Sequence, residues 1–160
     1  MSSAFQIIKR INSYTLETTL ASFQKAVAKA GMYSFGFDMK YGEGTLSEMD
    51  QETLSRIDIF DSQKVKTFIF VINVPGKSDY DSFTWLINDP DYFVAIRINN
   101  PMRYDKGEFI FRLMVSYFED NTDDYLWYDG ADGYWYYTAD DILKLSKMPY
   151  NPLWSVEKLV

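Results

Sequence analysis

Two aromatic runs, Tyr125-Leu126-Trp127-Tyr128 and Tyr134-Trp135-Tyr136-Tyr137, flank the segment Asp129-Gly130-Ala131-Asp132-Gly133. Aspartate–glycine chemistry between two β-prone runs predicts an antiparallel hairpin. Pairing Asp129 with Tyr134 sets Trp127 opposite Tyr136 and Tyr128 opposite Trp135. One face then carries Tyr125, Trp127, Tyr134 and Tyr136, and the other carries Leu126, Tyr128, Trp135 and Tyr137. A hairpin with one wet face alternates apolar and polar residues. This one has rings on both faces, so each face needs a cover, from this chain or from a partner.

The remaining pattern predicts an α+β fold, a mostly antiparallel sheet with helices packed on one face. Leu16, Leu20, Phe23 and Val27 form an apolar stripe at helical spacing, with Thr15 placed to cap its start and Gly31 its end. Strands are expected at residues 5–11, 32–39, 57–60, 65–74, 92–98 and 109–118. The segments 65–74 and 109–118 are apolar on both faces, which predicts covered, central strands. Tyr92, Val94, Ile96 and Ile98 alternate as one inward face. Further helices are expected over 47–56, from Ser78 to Ile87, from Thr138 to Leu145, and after Asn151-Pro152 with Leu153, Trp154 and Leu159. No linker or low-complexity stretch divides the 160 residues, so one domain over 1–160 is expected.

Composition excludes much chemistry. The chain has no cysteine and no histidine. Disulfides, thiolate nucleophiles, Ser-His-Asp triads and cysteine-ligated metals are therefore out of reach. Gly42-Glu43-Gly44 and Gly130-Ala131-Asp132-Gly133 match no phosphate-loop pattern and read as turns. Asp120, Thr122 and Asp124 begin like a calcium loop, but Tyr125 stands where its glycine belongs and no glutamate closes it. Glu108 and Glu119 would point to opposite faces of the strand expected at 109–118, which separates them as a catalytic pair. No catalytic, cofactor or metal residue is assigned.

Net charge is −7, distributed unevenly. Residues 1–40 carry Lys9, Arg10, Lys25, Lys29 and Lys40 against Glu17 and Asp38, whereas no basic residue lies between Arg112 and Lys144. Scattered bases in an acidic chain argue against direct nucleic-acid binding. The longest apolar runs are too short to cross a bilayer and no export signal opens the chain, so a cytoplasmic protein is expected.

Rings inside an acidic zone suit an interface with a basic protein. In that reading Trp127, Tyr128, Trp135 and Tyr136 are anchors, and Asp123, Asp124, Asp129 and Asp132 are the rim. The profile is similar to that of toxin-neutralising immunity proteins and phage-encoded inhibitors, which implies a nuclease or other nucleic-acid-handling enzyme as partner and carboxylates in place of phosphates. The alternatives are a binder of a sugar or cationic metabolite, a carboxylate-based hydrolase, or a homodimer through the hairpin edge. In the competing structural reading, the C-terminal helices with Trp154 and Leu159 cover the second face of the hairpin.

Overall fold

Thr15 is extended (φ −132°, ψ 145°) and its hydroxyl accepts the Thr18 amide at 3.1 Å, so the chain turns there into helix α1 (Leu16–Lys29). The computed structural model describes residues 4–35, 55–60, 66–72, 91–99, 107–130, 133–155 and 157–160. At the far end of α1, Gly31 takes φ +76°. There the Met32 amide bonds the Val27 carbonyl and the Gly31 amide that of Ala28, both at 3.0 Å. That crossed pair of bonds is the glycine-dependent helix stop expected from sequence.

Seven strands form one sheet among the described residues: β1 (Ala4–Arg10), β2 (Tyr33–Phe35), β3 (Ser55–Phe60), β4 (Lys66–Ile72), β5 (Tyr92–Asn99), β6 (Tyr125–Gly130) and β7 (Gly133–Thr138). Their order is β2-β3-β4-β5-β1-β6-β7, and every neighbouring pair is antiparallel. The hairpin register is the expected one, with Asp129 opposite Tyr134, Tyr128 opposite Trp135 and Trp127 opposite Tyr136. β4 lies inside the sheet between β3 and β5, as its apolar sequence requires. The turn at Gly42 and Gly44 and the helix expected from Ser78 fall outside the described residues. So does most of the helix expected over 47–56, but its last two residues, Ser55 and Arg56, belong to β3.

The segment expected as a strand at 109–118 is helix α2 (Gly107–Asp120). Ile110, Phe111, Leu113, Met114, Tyr117 and Phe118 are all buried, spaced three and four apart along one side. Exposed Glu108, Arg112 and Glu119 occupy the opposite side. Glu108 and Glu119 are therefore not on opposite faces; eleven residues of helix separate them by about 16 Å along its axis. That distance, rather than strand alternation, keeps them from acting as a hydrolytic pair.

Thr138 opens helix α3 (Ala139–Ser146), its hydroxyl accepting the Asp141 amide at 3.1 Å while the Asp141 carboxylate accepts the Thr138 amide at 2.9 Å. The element after Asn151 is a single 3-10 turn, Pro152–Ser155, started by the Asn151 side chain accepting the Leu153 amide at 3.0 Å. Leu159 lies beyond it.

The sheet serves two apolar clusters. Phe5 and Ile7 of β1 face the helices and join Leu20, Phe23 and Val27 of α1, the inner side of α2, and Ile142 and Leu145 of α3. Ile8 faces the other way, with Tyr92 and Trp127. β5 does not keep the single inward face expected from its alternation. Ile7 pairs Ile96 but Ile8 pairs Val94, which leaves Ala95 as an extra residue, a β-bulge. Ala95 and Ile96 consequently both belong to the helix-side core, while Tyr92 packs on the opposite face.

Candidate functional site

The hairpin is anchored in the sheet by β1, which pairs Phe5 with Tyr128 and Ile7 with Leu126. On the helix side, Leu126 and Tyr137 are fully buried and Tyr128 is 7 % exposed. Tyr128 packs on Phe5 at 4.9 Å between ring centroids and on half-buried Trp135 at 4.2 Å. Trp154 stacks on Phe5 at 5.0 Å and tilts against Phe111 at 5.2 Å. The C-terminal segment with Trp154 and Leu159 thus lies over this face, as the structural reading of the sequence expected.

Tyr137 fastens that cover. Its hydroxyl donates toward the carbonyls of Trp154 at 3.0 Å and Glu157 at 2.9 Å, and accepts the Leu159 amide at 3.1 Å. Burial is the first cause that pushes this phenol above its ordinary value. It is a neutral donor at physiological pH.

The other face is graded from buried to exposed. Trp127 is 3 % exposed beside Ile8 and Tyr92, Tyr125 is half-buried, and Tyr136 is 45 % exposed. Tyr92, Tyr125 and Tyr136 form a run of edge-to-face contacts, at 5.4 Å and then 5.7 Å. A cation sits on each end of the run: the Arg10 guanidinium 5.0 Å from the Tyr92 ring and the Lys158 ammonium 5.1 Å from that of Tyr136.

The acidic rim is not the continuous, unopposed charge that the linear sequence implies. Asp124 is 4 % exposed; its carboxylate accepts from Lys9 Nζ at 3.0 Å and from the Tyr117 hydroxyl at 2.7 Å. Asp120 pairs with Lys25 at 3.3 Å and Glu119 with Lys29. The basic N-terminal stretch is thus folded against the end of α2, and the calcium-like loop spends its carboxylates on lysines. Asp123 and Asp140 are exposed at the open end of the hairpin. Asp129 pairs with Ala4 and Tyr134 in the ladder, and Asp132 lies outside the described residues.

Of the expected anchors, Trp127 and Tyr128 are therefore core residues on opposite faces, and Asp124 is a buried ion-pair member. Each was selected for ring or charge content, which burial in a core uses equally well. Tyr136 and Asp123 are accessible, and Trp135 partly so. Arg10, Lys9, Tyr92 and Lys158 reach the hairpin and its flanking loop from distant positions and carry no local sequence signal of doing so.

A cleft of about 260 Å³ opens beside the cover, between Phe111, Leu145, Met148, Pro149, Tyr150, Asn151, Trp154 and Leu159. Among the described residues no carboxylate lines it, so they offer it neither an acid–base pair nor a counter-charge for a cationic metabolite. Among the described residues no group of three or more acidic side chains is placed to hold a metal ion, and no helix is long and apolar enough to cross a membrane. No family model matches the chain, and neither the curated proteins nor the solved structures include a significant match.

Proposed function

We propose that this chain is a binding protein that docks on a basic protein partner through the outer face of the β6–β7 hairpin. The observation that carries this reading is Tyr136, a large ring 45 % exposed at the end of an aromatic run that continues through half-buried Tyr125 to buried Tyr92. A ring seated on a rigid core gives contact area at little entropic cost. Its face already accepts a cation, and Asp123 and Asp140 stand at the same end of the hairpin. A net charge of −7 would steer a basic partner toward it. The site is smaller than the eight residues chosen from sequence: Tyr136 is its centre and Asp123 its rim, while Trp135 packs on the helix side of the hairpin. An inhibitor of a nucleic-acid-handling enzyme is the finer form of this proposal, in which the partner's basic surface is one that otherwise holds phosphates.

The test is affinity capture from the native cell with the wild-type chain and with Tyr136→Ala. A basic protein retained by the first and lost by the second is expected, with affinity for the purified partner falling at least about 30-fold, as at other interface hot spots. Competition of that complex by nucleic acid would support the finer form. Equal retention by both chains would remove Tyr136, and this surface with it.

A further inference from the structure

The segment Glu157–Val160 touches both faces of β7. Its backbone is tied to the Tyr137 hydroxyl on the helix side, while Lys158 reaches the Tyr136 ring on the other. Adjacent residues of a strand project to opposite faces. A segment that meets both rings must therefore run past the outer edge of β7, which ends the sheet among the described residues. It does so without joining the sheet: the segment's own backbone bond is from the Glu157 amide to the Leu153 carbonyl, and no ladder to β7 is formed. The edge it crosses, Gly-Tyr-Trp-Tyr-Tyr-Thr, contains no proline and no charge, the two devices that usually protect an edge strand from pairing.

We infer that this segment is an internal strap that occupies the docking edge, with Lys158 holding the place of a partner's cation. The partner element that displaces it is an extended, lysine- or arginine-bearing peptide segment, which adds along β7 and sets its own cation over Tyr136. Charge complementarity selects that occupant. Among the described residues the cation set on Tyr136 is an ammonium, the exposed side chains at the open end of the hairpin include Asp123 and Asp140, and the edge strand itself bears no charge to oppose an incoming base. Strand addition also matches a recurrent mode of peptide recognition, in which ladder bonds give affinity and alternate side chains give specificity. The inference rests on the docking reading above and adds a competitor to it.

The probe is an acetylated, amidated octapeptide of alternating valine and lysine, with glutamine in place of lysine as its control. Binding is titrated against the wild-type chain, Lys158→Met, Lys147→Met and Tyr136→Ala. Lys147 is an exposed lysine at the end of α3, so its variant makes the same charge change away from β7. Removing one exposed cation–π contact corresponds to about threefold tighter binding of the lysine peptide by Lys158→Met. Lys147→Met should not show this gain, the glutamine peptide should bind no variant, and Tyr136→Ala should bind weakly. Equal gains in the two lysine variants would overturn the strap while leaving the docking surface. Unchanged binding by Tyr136→Ala would overturn the docking surface itself. Dimerisation of Lys158→Met without peptide, read by sedimentation, would assign the edge to a second copy of this chain and overturn the basic peptide as occupant.

Discussion

Burial holds the Asp124 carboxyl above its ordinary value of 3.8, while Lys9 and the Tyr117 hydroxyl pull it down without fully offsetting that burial. The folded state therefore keeps this proton to higher pH than the unfolded state does. It follows that the group's contribution to stability falls as pH rises from the ordinary value through the raised one, and is flat above. The unfolding free energy of the wild type minus that of Asp124→Asn should decline over that window in denaturant titrations. A difference that instead grows with pH would mean that Lys9 and Tyr117 outweigh burial. The side chains of the Lys9–Asp124 pair are only 14 % and 5 % exposed, so removing one partner strands the other away from solvent. Lys9→Met or Asp124→Ala alone should each cost roughly 3–5 kcal/mol, and the apolar double replacement Lys9→Met/Asp124→Leu much less than their sum. None of this was legible in the sequence. Asp124 looks like one more acid in an acidic run, and its lysine is 115 positions away.

Local chemistry was the best guide to the elements. Thr15 and Gly31 bound α1 where their side-chain and backbone preferences require, and the hairpin register follows from its turn and its rings. α2 was misread because its sequence satisfies two periods at once. Phe109, Phe111, Leu113, Val115 and Tyr117 alternate as a strand face would, and Ile110, Met114 and Phe118 fill the other side. What distinguishes the helix is its polar positions, Glu108, Arg112, Ser116 and Glu119, at steps of four, four and three. Those steps outweigh the β preference of individual residues. At Gly31 a Cβ would meet nothing within 4 Å, so the left-handed φ is the whole cost of a side chain there. Gly31→Ala should lose about 1 kcal/mol in denaturant unfolding, and Gly31→Asn less, because asparagine tolerates that region. A loss of several kcal/mol from Gly31→Ala would point to packing instead.

Across the whole molecule, folding brings the two ends of an uneven charge distribution together. Three bases of the first forty residues meet acids after residue 118 through β1, α1 and α2, in the pairs Lys9–Asp124, Lys25–Asp120 and Lys29–Glu119. Composition showed the imbalance but not its closure, because closure depends on topology. The same holds for the rings. Their number announced that both hairpin faces need cover, whereas which ring stays outside is decided by β1 on one side and the C-terminal turn on the other. Trp127→Ala should therefore cost roughly 3–5 kcal/mol of global stability, while Tyr136→Ala stays within about 1 kcal/mol of wild type. Thermal and denaturant unfolding of the pair measure this directly. A well-folded Trp127→Ala would return that ring to the binding surface.

Ala95 is where the sheet changes phase. With this one surplus residue, β5 places Tyr92 on one side and Ile96 on the other, although an even number of positions separates them. Excising Ala95 would bring Tyr92 and Ile96 three positions apart, and regular alternation would then keep each on the face it holds now, opposite Arg10 and Ile7. The deletion would remove the Ala95 methyl from the helix-side core and the bend of the bulge from the strand, while the phase between the two layers of packing would survive.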